Sequence, residues 1–446
     1  MSLRSLFVDF NSYFASVEQH EVPALRGRPV GVVPVEAETT SLIAASYEAK
    51  AHGVGTGTLV SEARRRCPGL VIRLARPERY VAWHHRLLEA IDQAIPIARV
   101  GSIDEVACEL VGRQCRREEA VALAARIKAC VAQAAPGGAI RCSIGIAPNE
   151  FLAKTASDMR KPDGLTVIEA GNLPHVLHAL QLRDLCGIGA AMEQRLHAHG
   201  ITTVAQLTAA PKSLLRHAWG SIEGERMWSQ LRGVWMPPTA TQRGSLGHSH
   251  VLGPELRHPA GARAVLKKLL VKAAMRLRRE ALLAGALAVR IRHVGHDARW
   301  EADLGFDPTD DTRELLRMLT LMIDTGRRRH ALLPGPAGAV PLSVSVTLHR
   351  LIERRHSTGS LFAQDANAGK VDDVVDRINR KFGLNKVYFA SMQKALEHQA
   401  APMRIPFSRI PDSETENEAG HEALWLQSFN RARVLAEQAH RSKKSR

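Results

Sequence analysis

The chain has 446 residues, of which 45% are apolar, and it carries a formal net charge of +16 with a pI near 10.0. That length exceeds one compact core, so several domains are expected, and the apolar content excludes global disorder. The basic balance favours a polyanionic partner, nucleic acid first.

The six cysteines lie at Cys67, Cys108, Cys115, Cys130, Cys142 and Cys186. No C-x-x-C pair occurs among them, so neither a zinc ribbon nor a redox motif is suggested. Their scatter fits a reducing cytoplasm better than a disulfide framework. The first residues lack a long apolar stretch before a small-residue cleavage site, and no apolar run approaches the ~18 residues of a membrane span. The expectation is a soluble, cytoplasmic protein without a membrane partner.

In chain order, Leu6 to Asp9 reads as a strand that runs into a helix, and RPVGVVPV (28–35) as a second strand. SLIAASYEAKAHGVG has helical small-residue spacing and stops at Gly53 and Gly55. SEARRRCPG is a short helix, VIRL a strand, and ERYVAWHHRLLEAIDQAI an amphipathic helix. ARVGSIDEVACELVG predicts a β-hairpin around Ser102 to Glu105; a helix (EEAVALAARIKACVAQAA), a strand (AIRCSIGIAPN) and a helix (EFLAKTASDMRK) follow. Strands and helices mix without a strict βαβ repeat, which predicts an α+β, multidomain fold.

From 172 the pattern becomes short and helical. LCGIGAAMEQRLHAHGITTVAQL resembles a helix-hairpin-helix, whose Gly187 and Gly189 would let backbone amides approach a DNA phosphate. A polar, proline-containing linker around VWMPPTATQRG precedes a β-α-β-β-α-β order over 245–356. That order predicts a four-stranded sheet with two helices on one face. Its strands and connectors carry Arg243, His248, Arg290, Arg292 and His293, the first four of which are expected DNA contacts, and its first helix is long and basic. Beyond it, KVDDVVDRINRKFG predicts a short helix, APMRIPFSRIP an extended piece, and the end a helix with a basic frayed tail.

The acids carry the chemistry. Asp9 ends an apolar strand, and Asp104 and Glu105 sit between Ile103 and Val106. Carboxylates crowded at half-buried strand ends repel one another and need cations. Hard oxygen ligands of this kind suit Mg²⁺ beside substrate phosphates, and two such ions can serve phosphoryl transfer.

VDFNSYFASVE, AASYEAKAHGVG, VGSIDEVACEL and SIGIAPNEFLAKTASDMRKPDG occur in an order and spacing that resemble the palm and finger motifs of Y-family (translesion) DNA polymerases, the bacterial DinB/UmuC-like group. The helix-hairpin-helix matches that family's thumb, and the β-α-β-β-α-β module its little finger. The resemblance covers roughly 1–360 and implies a right-hand polymerase. Palm and fingers would span 1–171 (fingers about 28–78), thumb 172–235, linker 236–244, little finger 245–356, and a partly flexible C-terminal extension 357–446.

It further implies that Asp9, Asp104, Glu105 and the backbone carbonyl of Phe10 ligate two Mg²⁺ ions, with Mn²⁺ able to substitute. Phe14 matches the steric gate that crowds out a ribose 2′-hydroxyl, with Tyr13 near the sugar. Tyr47, Lys50 and Lys161 match residues that reach the triphosphate. Three positions depart from the pattern: Lys50 replaces a frequent Arg and so loses a bidentate fork, Ala44 stands where a Thr hydroxyl is common, and Glu150 where a Lys is. The implied activity is low-fidelity extension of a primer on damaged template DNA with dNTPs. TGSLFAQD offers Leu361 and Phe362 as the nearest sliding-clamp peptide, without its leading Gln and Leu. The alternative is an inert family member that acts as a DNA-binding scaffold. Such members lose the acids that this chain keeps.

Overall fold

The computed structural model describes residues 2–237, 243–295, 299–327, 333–336, 338–357, 368–403, 405, 407, 410, 411 and 418. Chain contacts divide it into two units: 1–33, 41–240 and 406–410 form the first, and 34–40, 241–405 and 411–446 the second.

The first unit begins with β1 (Ser5–Phe10), α1 (Tyr13–Glu21), β2 (Val30–Val33), β3 (Ala44–Ala45), α2 (Tyr47–Lys50), α3 (Val60–Arg66) and β4 (Val71–Leu74). It continues through α4 (Pro77–Asp92), β5 (Ile97–Val100), β6 (Glu105–Glu109), α5 (Arg117–Ala134), β7 (Cys142–Ala147), α6 (Glu150–Met159) and β8 (Leu165–Val167). Four short helices end it: α7 (Ala190–Ala198), α8 (Val204–Ala209), α9 (Lys212–Trp219) and α10 (Glu223–Gln230).

The main sheet has the order β5-β6-β1-β7-β8. β1 is central and antiparallel to both neighbours, which is why its sequence is one apolar run rather than an alternation: every residue of it is buried. The predicted hairpin forms as β5 and β6. α6 lies close on β7 because Gly145 has no side chain; a Cβ there would overlap the Ala153 carbonyl and the Ser157 amide. Asn149 caps α6 by accepting from the Leu152 amide at 2.9 Å, and its side-chain amide donates to the Gln230 and Val234 carbonyls. Phe7, Ala147, Phe151, Leu152 and Ala156 share one core with Leu196, Leu207 and Leu215 of the short helices. Gly145→Ala is expected to cost about 1–3 kcal/mol of stability, read as a lower denaturant midpoint, because α6 cannot retreat without opening that core.

A second sheet, β3-β2-β4, has a small core around Val33, Leu42, Ala49, Val60 and Cys67. Here the structure corrects the sequence reading. Only Tyr47–Lys50 of the stretch expected to be helical forms a helix; Ala44 and Ala45 pair instead with Val32 and Gly31. Alanine fits a strand when its neighbours are close. Short β8 gave no periodic signal and was missed.

The second unit has β9 (Ser245–Val251), α11 (Pro259–Arg279), β10 (Leu282–His293), β11 (Arg299–Thr309), α12 (Thr312–Gly326) and β12 (Pro341–Glu353), followed by α13 (Ala368–Phe382) and α14 (Gln393–Glu397). The predicted β-α-β-β-α-β order is present, with sheet order β11-β10-β12-β9. The basic look of α11 is misleading: Lys268, Lys272 and Arg276 are buried. Lys268 donates to the Ala400 carbonyl and Glu418, and Lys272 to the Ala401 and Pro402 carbonyls and Glu418, at 2.6–2.7 Å. Arg278 pairs with Asp372 and Asp376 of α13. These cations tie the chain's own later segments to α11.

Among the described residues no helix is long and apolar enough to cross a membrane. Leu361 and Phe362 lie outside the described residues, as do most of the linker and all but Glu418 of the expected terminal helix.

Candidate active site

β1 delivers Asp9 to its end, and the pairing of β1 with β6 sets Glu105 directly opposite. Directly paired residues of adjacent strands project to the same face. The Phe10 amide donates to the Asp104 carbonyl at 2.8 Å, which joins strand and turn. Gly101 and Ser102 donate to the Glu105 carbonyl, and the Ser102 hydroxyl donates to Asp104 at 2.5 Å. The acidic turn is therefore held by its own backbone.

The charges are held at a cost. Burial, with the charge of Asp104 adding to it, pushes the Asp9 carboxyl up to about 7, although Lys161 lies 2.7 Å away and works in the other direction. Burial and the neighbouring Glu105 also raise Asp104, against the Ser102 hydrogen bond. Partial desolvation works against the Lys161 charge, yet Asp9 and Asp158 hold it above the ordinary lysine range. Glu105 is drawn to Lys154 at 2.7 Å, and that pairing outweighs burial and raises Lys154. Among the described residues no three His, Cys, Asp or Glu side chains converge as a ready ligand cluster. The structure thus brings Asp9 and Asp104 together and leaves Glu105 beside them but engaged by a lysine. The donor set still fits a divalent cation: carboxylate oxygens on one sheet end, two of them raised by burial, with two ammonium groups as the present counter-charges.

The second motif reaches the same place. Lys50 donates to the Ser12 hydroxyl at 2.8 Å and lies 4.5 Å from the Tyr47 ring centre. Partial burial and Lys161 lower its pKa. Burial raises Tyr47, and Lys161 and Asp9 are both within its electrostatic reach. Ala44 is buried in β3, and Glu150 pairs with Arg99 in the first turn of α6.

Tyr13 and Phe14 are both buried. The Tyr13 hydroxyl donates to the Tyr80 carbonyl at 2.7 Å, so its polar end is already used. The Phe14 ring stacks on Tyr80 at 4.5 Å. Tyr80 donates to Glu18 at 2.9 Å, and Glu18, fully buried, also takes Arg73 at 3.1 Å and Arg76 at 2.8 Å. Glu18→Ala would strand the Arg73 guanidinium and the Tyr80 phenol, while Arg76 would keep Glu21 at 2.9 Å. Because the arginines are part-exposed, about 2–3 kcal/mol is the expected loss, measured by urea unfolding.

Sequence reasoning missed several residues of this site. Asn11 accepts from the Asp163 amide at 2.7 Å and donates to Ser143 at 3.0 Å, which fixes the loop after Lys161 beside Asp9. Its signal was its position directly after the strand. Lys154 and Asp158 share one face of α6 at i and i+4; Lys154 meets Glu105, and Asp158 meets the expected Lys161 just beyond the helix end. Glu18 and Tyr80 had no local signal.

Of the expected DNA contacts, Gly187 has a φ of +87°, which favours glycine, and Gly189 precedes α7. Nothing lies within 4 Å of where a Gly189 Cβ would be. Arg292 is exposed, Arg290 pairs with Glu301 at 2.5 Å, and Arg243 pairs with Glu280. His248 alternates with Leu246 on the buried side of β9 and is 7% exposed, and His293 is 3% exposed; neither is placed to meet DNA.

The impB/mucB/samB family model matches residues 8–158, its C-terminal domain model residues 243–361, and the DNA polymerase-iota thumb domain model residues 183–234. DNA polymerase IV of Moorella thermoacetica is 34% identical over 293 residues, 64% of this chain and 72% of that protein. DNA polymerase IV 1 of Bacillus subtilis (strain 168) is 28% identical over 386 residues, 84% of this chain and 90% of that protein. In fold, a chimeric Y-family DNA polymerase superposes with a TM-score of 0.62 at 22% identity, covering 78% of this chain and 99% of that one. The fold class that the motifs implied is therefore that of Y-family polymerases, with a thumb-type domain over 183–234. The chain belongs to the Y-family DNA polymerases of the DinB type, the enzymes of translesion synthesis.

Proposed function

We propose that this chain extends a primer 3′-hydroxyl with dNTPs past damaged template bases, and that Asp9, Asp104, Glu105 and the Phe10 carbonyl hold two Mg²⁺ ions, with Mn²⁺ able to substitute. Membership of the family brings template-directed DNA synthesis and dependence on a divalent metal. The observation that carries the residue assignment is the end of β1: Asp9 and Asp104, both raised by burial, meet beside a lysine. Such a pair is costly until a cation arrives.

When bound, the ions would neutralise charge on the transferred phosphate and lower the acidity barrier of the attacking hydroxyl. The chain's own residues supply the rest. Lys50, Tyr47 and Lys161 lie where a triphosphate would need donors, and Lys161 would pass from Asp9 to phosphate as the acids take metal. Phe14 would exclude a 2′-hydroxyl. Gly187 and Gly189 would present amides to a DNA phosphate, and Arg292 would add charge, so that binding falls with salt. Residues 1–171 would form palm and fingers, 172–235 the thumb and 245–356 the little finger. The sliding-clamp contact at Leu361 and Phe362 rests on sequence alone.

The test is primer extension by the full chain on undamaged templates and on templates with an abasic site or bulky adduct, with Mg²⁺ and with Mn²⁺. Extension past the lesion where a high-fidelity polymerase stops, lost in Asp104→Ala and Glu105→Ala, is the expected result. DNA binding with no incorporation under either metal would overturn it and favour the inert scaffold.

A further inference from the structure

The Phe14 ring has a neighbour that no local sequence signal announces. Phe407, from the stretch Pro406–Ile410 that clusters with the first unit, lies with its ring centre 5.6 Å from that of Phe14, tilted by 54°. The same residue makes a backbone contact at the acidic turn: the Ile103 amide donates to the Phe407 carbonyl at 2.9 Å. The Ile103 carbonyl is held in turn by His84, whose Nδ1 is 2.7 Å away. Burial keeps His84 down at about 4, so its ring is neutral near pH 7 and Nδ1–H donates to that carbonyl. Ile103, the residue before Asp104, is thus gripped at its N–H by Phe407 and at its C=O by His84. Phe407 is itself 50% exposed, so its place is set by these contacts more than by burial.

We propose that Phe407 is a positioning residue for sugar selection: it braces Phe14 and, through its carbonyl, the turn that carries Asp104. This rests on the reading of Phe14 as the steric gate. A ring can exclude a 2′-hydroxyl only if it does not yield when crowded, because a ring that can tilt away relieves the clash at little cost. Tyr80 stacks on Phe14 and limits movement in one direction. The tilted Phe407 ring limits it in a second. An aromatic pair of this kind is worth roughly a three- to tenfold factor in an equilibrium.

The experiment is single-turnover extension by the full chain, comparing kcat/KM for a ribonucleotide and its matching deoxynucleotide in the parent, Phe407→Ala, Phe407→Leu and Phe14→Ala. The ratio of the two is unaffected by the fraction of folded enzyme. Phe407→Ala is expected to raise ribonucleotide use relative to deoxynucleotide use roughly three- to tenfold, and Phe407→Leu, which keeps apolar bulk, to recover most of it. If Phe14→Ala relaxes the ratio and Phe407→Ala does not, the brace is refuted and the gate stands. If Phe14→Ala leaves the ratio unchanged, the gate reading fails and the brace with it. If Phe407→Ala raises deoxynucleotide kcat/KM without moving the ratio, the residue is a competing cover of the site and the proposal is overturned.

Discussion

Asp9→Asn is expected to reduce nucleotide addition by at least about 10²–10³-fold while primed DNA stays bound. The substitution keeps size and loses charge. Asn can accept one hydrogen bond but cannot offset a cation, and the remaining Asp104 and Glu105 would share the metal alone. Glu105 is held by Lys154, which makes that remainder weaker still. Gel-shift and single-turnover assays on the same preparation separate binding from chemistry, and a variant with near-parental turnover would remove Asp9 from the metal site.

The same residue gives a pH test. In the metal-free chain burial holds the Asp9 carboxyl up at about 7. A cation binds only the ionised form, so divalent-ion affinity should rise with pH, by up to roughly tenfold per unit, and level off above that value. The sign for stability is opposite. A carboxyl whose folded pKa is raised binds more protons folded than unfolded, so its contribution declines as pH climbs from the ordinary carboxylate range to about 7. With chelator present, Asp9→Asn should therefore gain thermal stability over the parent as pH is raised from about 5 to about 8. Lys161 keeps Asp158 and loses only Asp9 in that variant, and its attraction only partly offsets the burial of Asp9. A melting-temperature gap that does not widen with pH would show that Asp9 is ionised at little cost.

Much of this was legible because local chemistry carried it. An apolar run that stops at Asp9, and an Asp-Glu pair between Ile103 and Val106, are hard to explain as surface, and β1 and β6 do bring Asp9 and Glu105 opposite one another. The β-α-β-β-α-β order could be read from periodicity and turns. Partnerships across long separations could not be read. Nothing near Glu18 foretells Arg73, Arg76 and Tyr80, and nothing near Phe14 foretells Phe407. The cations of α11 were a failure of a different kind. Lys268, Lys272 and Arg276 recur every four residues, which places them on one stripe, and the stripe faces inward. Part of the positive charge that the sequence offers to DNA instead pairs with Glu418 and donates hydrogen bonds to backbone carbonyls. His248 was misjudged for a related reason, since its alternation with Leu246 already put it on the inner face of β9.

Phe14→Ala should open the sugar filter, raising ribonucleotide use relative to deoxynucleotide use roughly ten- to a hundredfold, the factor that corresponds to relief of about 1–3 kcal/mol of overpacking. The effect should fall on selection more than on deoxynucleotide turnover, because the ring supplies no charge and no hydrogen bond. Tyr13 cannot take its place, since its hydroxyl is spent on the Tyr80 carbonyl and its ring is buried. Tyr80 also bonds to Glu18, which itself is fixed by two arginines. The proposed gate is therefore a buried ring standing on a second ring standing on an ionic cluster. That construction predicts that weakening the cluster should leak into selectivity: in Glu18→Ala, the folded fraction should discriminate against ribonucleotides less well than the parent and better than Phe14→Ala. Equal discrimination in Glu18→Ala and the parent would mean that Tyr80 holds its place without Glu18.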